Sequence, residues 1–166
     1  EIAAKVSGML DAWNARDLSR LRNRAADDLV LEDHRHAGLG RIEGVDAYGD
    51  SVVVLWELAP DQRLEIGSWP AVDRHGFVVM ARRVGTLTNG GAFESEYLWL
   101  GVGSAGRFTR SEFFEIEDLD AALARFAELA APARTEHPFA NAATRALESL
   151  AAACEARDRR RVALFL

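Results

Sequence analysis

The chain has one cysteine, Cys154, so no internal disulfide can form, and a reducing compartment is its expected setting. It has no apolar run approaching the roughly 20 residues that span a bilayer, and no signal-peptide pattern opens it. A cytoplasmic location without membrane contact is therefore expected. Positive charge is not in excess: the formal net charge is −6, which leaves no footprint for nucleic acid or an anionic lipid surface. The one basic cluster, Arg157 with Arg159, Arg160 and Arg161, reads as a solvated helix face. There is no G-x-S-x-G nucleophile elbow, and Gly38 and Gly40 lack the partners that a phosphate loop needs. No cofactor is expected. What is present is a chain of 166 residues, 49% hydrophobic, enough for one domain that buries roughly 70% of its unfolded surface. It opens at Glu1 without an initiator methionine, so a longer parent protein is expected.

Apolar periodicity sets the order of elements. Ile2, Val6, Met9, Leu10 and Trp13 recur at helical spacing. Asp17 is a candidate N-cap for a shorter helix carrying Leu18, Leu21 and Ala25, and a third helix takes Val45, Tyr48, Val52, Leu55 and Trp56 to one side before Pro60. From Gln62 the chain turns β-branched and aromatic. Four strands are expected, over 63–72, 77–88, 93–102 and 107–116, joined by short turns into an antiparallel meander. A last helix from near Asp118 is expected to bury Leu119, Leu123 and Phe126. Helices first and a meander after give an α+β domain with helices on one face of a curved sheet, and a cavity between the layers is the natural site.

Within that frame, residues 26–44 stand out. Leu29, Leu31 and Asp33 share one face of an alternating strand, so a carboxylate ends an apolar row. Three readings of Asp33 stay open. It forms an ion pair with Arg35 two residues on, or it is a general base raised by desolvation, or it forms a dyad with His34 or His36. His34 and His36 would also place two imidazoles on one strand face, but His75, His137 and the glutamates complete no metal-ligand spacing, and no metal is expected.

The tail repeats the beginning. Residues 153–158, A-C-E-A-R-D, match A-W-N-A-R-D at 12–17 in four positions of six, with Leu147 and Leu150 standing where Val6 and Met9 stand. This divides the chain into a domain at 1–131, a linker at 132–140 and, at 141–166, the first helices of a truncated second copy.

Taken together, A-W-N-A-R-D, A-D-D-L-V-L-E-D, E-G-V-D-A-Y, four meandering strands and the G-S-A-G-R turn resemble the SnoaL-like members of the nuclear transport factor 2-like superfamily over about residues 1–117. More narrowly, E-D-H-R, G-L-G-R-I-E-G-V-D-A-Y and L-D-A-A-L-A-R-F resemble SnoaL-like domains found in tandem within large actinobacterial regulatory or ATPase-containing proteins. The resemblance implies a cone-shaped fold with an apolar pocket and dimerisation through the sheet, or pairing with a second repeat. It also implies relatives that include ketosteroid isomerases, polyketide cyclases, dehydratases and many members that catalyse nothing.

Carried over by position, the resemblance puts Asp33 where ketosteroid isomerases hold their general base. Met9 and Leu98 stand where they hold their two oxyanion donors, so both donors are missing. Arg35 and Tyr48 are the substitutes at hand, which makes Asp33, His34, Arg35 and Tyr48 the candidate catalytic residues. For ligand contact, the helices offer Met9, Trp13, Tyr48, Val52 and Trp56, and the resemblance turns Leu98, Leu100, Ser111, Phe113 and Glu115 toward the cavity. Alternation leaves the strand face open, because Tyr97 and Trp99 on the other parity are as bulky and would suit a dimer surface if they faced outward. Two functions follow. One is a non-catalytic or weakly catalytic module that binds a small apolar molecule or mediates dimerisation. The other is an isomerase, cyclase or dehydratase on a hydrophobic carbonyl compound, with Asp33 as base.

Overall fold

The computed structural model of the chain describes residues 2–104 and 106–130. Helix α1 (Ile2–Asn14) and helix α2 (Leu18–Arg24) lead into strand β1 (Ala25–Asp33), strand β2 (Gly40–Glu43) and helix α3 (Val45–Leu58). Strands β3 (Arg63–Ile66), β4 (Ala71–Val72), β5 (Gly76–Thr86), β6 (Ala92–Ser104) and β7 (Arg107–Phe114) follow, then helix α4 (Leu119–Ala130). The strands form one sheet in the order β2-β1-β7-β6-β5-β3, with β4 also beside β5. Every pairing is antiparallel except that of β1 with β7. The expected linker at 132–140 and second copy at 141–166 lie outside the described residues. No helix among those described is long and apolar enough to cross a membrane.

The A-W-N-A-R-D stretch is a joint between layers. Trp13 is buried on α1, while the Asn14 amide donates to the Leu64 carbonyl at 3.0 Å and accepts from the Leu64 N–H at 2.9 Å, continuing the sheet edge into the helix end. Arg16 adopts φ 57° as the helix stops, and its guanidinium donates to the carbonyls of Trp13, Pro60 and Gln62. Asp17 then caps α2 by accepting from the Arg20 N–H at 2.9 Å.

Helices α1, α2 and α3 cover the inner face of the sheet. Val6, Ala12, Leu21, Phe77, Val79 and Ala81 are among the core residues there without accessible surface. Burying a side chain such as Phe77 contributes about 1.5–3 kcal/mol. Its ring lies across β6 because residue 101 is glycine: a Cβ there would sit 2.6 Å from the Phe77 ring. Helix α4 covers the outer face, where Ala122 and Phe126 pack with Val78, Leu98, Leu100, Val102 and Phe114.

Three expectations need correction. The strand expected over 63–72 is two strands, because the chain leaves the β5 ladder after Ser68 and Pro70 has no N–H to resume it. The glycine-containing stretch between Asp33 and Val45, where no strand is expected from the sequence, contains β2, whose residues 40–43 pair with 30–33. Leu119 is exposed, and it is Ala122 and Phe126 that α4 buries, with Leu123 half-buried.

Candidate functional site

Between the helices and the inner sheet face lies a cavity of about 140 Å³. Helix α1 contributes Met9 and Trp13 to its wall, and α3 contributes Tyr48, Ser51, Val52 and Leu55. Strand β1 supplies Leu29 and Leu31, and the loop after it supplies Arg35, Ala37 and Leu39. Leu64, Arg83, Tyr97, Trp99, Phe108, Ser111 and Phe113 complete the lining. Of the ligand contacts expected, Met9, Trp13, Tyr48, Val52, Ser111 and Phe113 are therefore on the wall.

Leu98 and Leu100 are not. They face α4 on the outer side, and Tyr97 and Trp99 face the cavity instead. The register explains this: Trp99 pairs with Phe113 and Gly101 with Ser111, so these odd-numbered residues share the inner face. A bulge between Val102 and Gly103 leaves Thr109 unpaired, which lets both Phe108 and Ser111 point inward. Turned inward, Tyr97 and Trp99 make no outer dimer patch. Trp56 stands behind the wall, edge-on to Trp13 at 5.8 Å, with the Arg16 guanidinium over its ring at 5.5 Å. Glu115 sits off the wall, accepting from the His36 N–H at 2.9 Å.

Asp33 ends β1 with a carboxylate that has no accessible surface. Arg35 grips it with Nε at 2.8 Å and a terminal nitrogen at 2.7 Å, and the N–H groups of Leu39 and Arg35 donate to it at 2.9 and 3.3 Å. The chain can fold over it only because residue 38 is glycine, since a Cβ there would lie 2.5 Å from the Asp33 carboxyl carbon. Burial alone would raise the Asp33 pKa. The hydrogen bonds from Arg35 and Leu39 and the Arg35 charge outweigh burial and hold it below the ordinary 3.8. The Arg35 guanidinium carbon, in turn, lies over the Tyr97 ring at 4.5 Å and over the Phe113 ring at 5.5 Å, presenting an already neutralised guanidinium to the cavity.

No dyad forms. His34 points to the outer face, where its Nε2 meets Glu112 at 3.0 Å and its ring stacks on Phe114 at 4.6 Å. His36 is exposed beside Glu115, with Nδ1 3.2 Å from the carboxylate. The Tyr48 phenol is buried, and burial, followed by the charge of Tyr97, raises its pKa, so it is a neutral donor. Burial likewise raises the pKa of Tyr97, against the pull of Arg83 and Arg35.

The SnoaL-like domain family matches residues 6–118 of the chain. The chain belongs to that family. No curated protein sequence matches it. Among solved structures, this SnoaL-like domain is similar to a SnoaL-like protein from Jannaschia sp. CCS1 assigned as a polyketide cyclase, at 19% identity and a TM-score of 0.59, covering 79% of this chain and 92% of that one. It is also similar to an NTF2-like protein of unknown function from Burkholderia pseudomallei K96243, at 19% identity and a TM-score of 0.59, covering 75% and 95%. A protein from Sinorhizobium meliloti assigned as a polyketide cyclase matches at 23% identity and a TM-score of 0.56, covering 67% and 94%. These likenesses establish the fold, an α+β cone of the nuclear transport factor 2-like kind.

On the outer face, the SnoaL-like domain gathers a second set of charges. Glu32, His34 and Glu112 bring ligand-type atoms within 4.8 Å of one another. Guanidinium groups already neutralise the acids: Arg110 donates to both Glu32 and Glu112, and Arg125 donates to Glu112 at 3.1 and 3.2 Å. Burial would raise the Glu112 pKa, and its bonds from Arg110 and His34 with the charges of Arg110 and Arg125 lower it instead.

The residue that motif reasoning passed over is Arg83. The signal was present, since Phe77, Val79 and Ala81 alternate inward along β5 and Arg83 continues their row. Its Nε is buried without a hydrogen-bond partner. Desolvation lowers its pKa and nearby Arg35 lowers it further, against the raising effect of Tyr97 and Asp33.

Proposed function

We propose that this SnoaL-like domain is a binding module for a small, mainly apolar molecule, and that Asp33 serves the fold rather than turnover. One observation carries the reading: the Asp33 carboxylate has no accessible surface, and two groups of one guanidinium and two backbone N–H groups occupy it. A general base must reach the proton it removes and gains from a pKa near the working pH. Asp33 is covered, and its pKa is moved away from neutrality. The positions that resemblance assigns to oxyanion donors hold Met9 and Leu98, and Leu98 faces away from the cavity. Absence of one such donor typically costs about 10²–10³ in rate.

The cavity itself supports binding. Its wall is mostly aliphatic and aromatic, with a few polar groups, the usual make-up of a small-molecule site. Its volume suits a body of about one aromatic ring, the size of ligand that a dry cavity of ~150 Å³ accepts.

The test is a thermal-shift screen of the 166-residue chain and its Asp33→Asn variant against small apolar compounds, with bound species checked by native mass spectrometry. The expected result is a set of compounds that stabilise both proteins, by about 2.7 kcal/mol when present at 100 times Kd. The reading fails if no compound binds. It fails equally if the chain turns over a hydrophobic carbonyl compound and Asp33→Asn abolishes turnover while binding persists.

A further inference from the structure

We infer that the molecule this cavity takes is an acid: a single-ring, otherwise apolar body carrying one carboxylate that seats against the Arg83 guanidinium. The inference rests on the binding reading above and adds the chemical class of the ligand.

Two adjacent arginines on β5 make the case. Arg82 points to the outer side, where Glu94 lies 2.7 Å from its Nε and Glu65 lies 3.9 Å from a terminal nitrogen. Arg83 points inward onto the cavity wall, and among the described residues no carboxylate pairs with it. Its Nε is enclosed without any partner. An exposed arginine without an acid means little, because water solvates it. A half-buried one facing an apolar hollow is different, since a buried donor left unmade costs about 1–3 kcal/mol.

The neighbours do not relieve it. Asp33, the acid whose charge acts on Arg83, is saturated by Arg35 and the loop backbone, and Arg35 itself acts on Arg83 as a like charge. Counted over Asp33, Arg35 and Arg83, this part of the wall carries one uncompensated positive charge. The remainder of the lining, including Leu29, Leu31, Val52, Trp99 and Phe108, offers an apolar surface with nothing to oppose an anion.

A planar carboxylate matches a guanidinium through two parallel hydrogen bonds, and such charge-assisted bonds are roughly twice as strong as neutral ones. Buried phenols at Tyr48 and Tyr97 stand on the same wall as neutral donors. A neutral amide of the same shape would fill the hollow equally well but leave the Arg83 charge uncompensated. The site is therefore expected to tell an acid from its amide.

The experiment uses the 166-residue chain near pH 7 and matched pairs of probes: benzoate with benzamide, phenylacetate with phenylacetamide, and cyclohexanecarboxylate with its carboxamide. Affinities are read by calorimetry or ligand-observed NMR. The acid is expected to bind at least about tenfold more tightly than the amide in one pair or more. Arg83→Met is expected to weaken binding of the acid much more than of the amide and so remove that advantage, and Arg83→Lys to keep part of it. Equal binding of acid and amide by the unaltered chain overturns the inference and leaves the binding reading standing. Binding by neither member of any pair overturns the inference, and the screen of apolar compounds then decides the binding reading. An acid preference that survives Arg83→Met shows that another group recognises the anion. If Arg83→Met does not fold, the comparison of acid with amide in the unaltered chain and in Arg83→Lys still decides.

Discussion

Asp33 and Glu112 both have carboxylates without accessible surface, and they lie on opposite faces of one sheet. Asp33 borders the cavity and is held by one arginine and two backbone N–H groups. Glu112 lies beneath α4 and is held by two arginines and a histidine. In both cases burial pushes the pKa up and local donors reverse it, so each acid is more ionised than an exposed one. The comparison separates two ideas that are easily merged. An acid in an apolar setting is a tuned base only when its donors are missing, and here the donors are present. Among the described residues the cavity wall holds two buried donors without a partner, the Trp13 Nε1 and the Arg83 Nε; Arg83 is the charged one, and that is where recognition chemistry for an anion is available.

The comparison can be broken first at Asp33. Asp33→Asn leaves Arg35 with its side chain mostly buried, 13% exposed, and, among the described residues, with no second carboxylate bonded to it. Removing one partner of such a pair is expected to cost about 4 kcal/mol in urea unfolding. Replacing both partners together, Asp33→Leu with Arg35→Met, is expected to cost much less than the sum of the single changes. A loss under about 1 kcal/mol in Asp33→Asn would show that the ion pair does not support the fold.

Glu112→Gln is the milder test. Both arginines that it releases keep another acid, Glu32 for Arg110 and Glu128 for Arg125, and the latter is a third exposed. The expected loss is about 2 kcal/mol by the same measurement, with no change in ligand binding, because Glu112 faces away from the cavity. A loss larger than that of Asp33→Asn would reverse the order of the two sites.

Much of the fold was legible because it rests on short-range rules. The stripe of α1, the Asp17 cap and the run of meander strands follow from periodicity and turn residues. What escaped depends on non-local geometry. The pairing of Trp99 with Phe113 turns Tyr97 and Trp99 inward instead of Leu98 and Leu100, and the Thr109 bulge turns both Phe108 and Ser111 inward; alternation within a single strand shows neither. The break of the strand at Pro70 and the pairing of residues 40–43 are set by what each stretch meets across the sheet. At the site, the two-residue spacing of Asp33 and Arg35 suggested their ion pair. The Leu39 N–H that completes the cover on Asp33 comes from a loop path with no sequence periodicity, and it supports the proposed structural role over the role of a base. Arg83 was readable from the alternation of β5, but an arginine in a strand carries no motif.

Linkage connects the Asp33 geometry to acid stability. A carboxylate whose folded pKa lies below its unfolded value stabilises the fold above pH 3.8, and that contribution disappears as the pH falls through the folded value. The most direct measurement is therefore the titration of the Asp33 carboxyl carbon by NMR in the folded chain, assigned with Asp33→Asn. The account predicts a midpoint below 3.8. A midpoint raised toward neutrality would contradict it and return Asp33 to the role of a base.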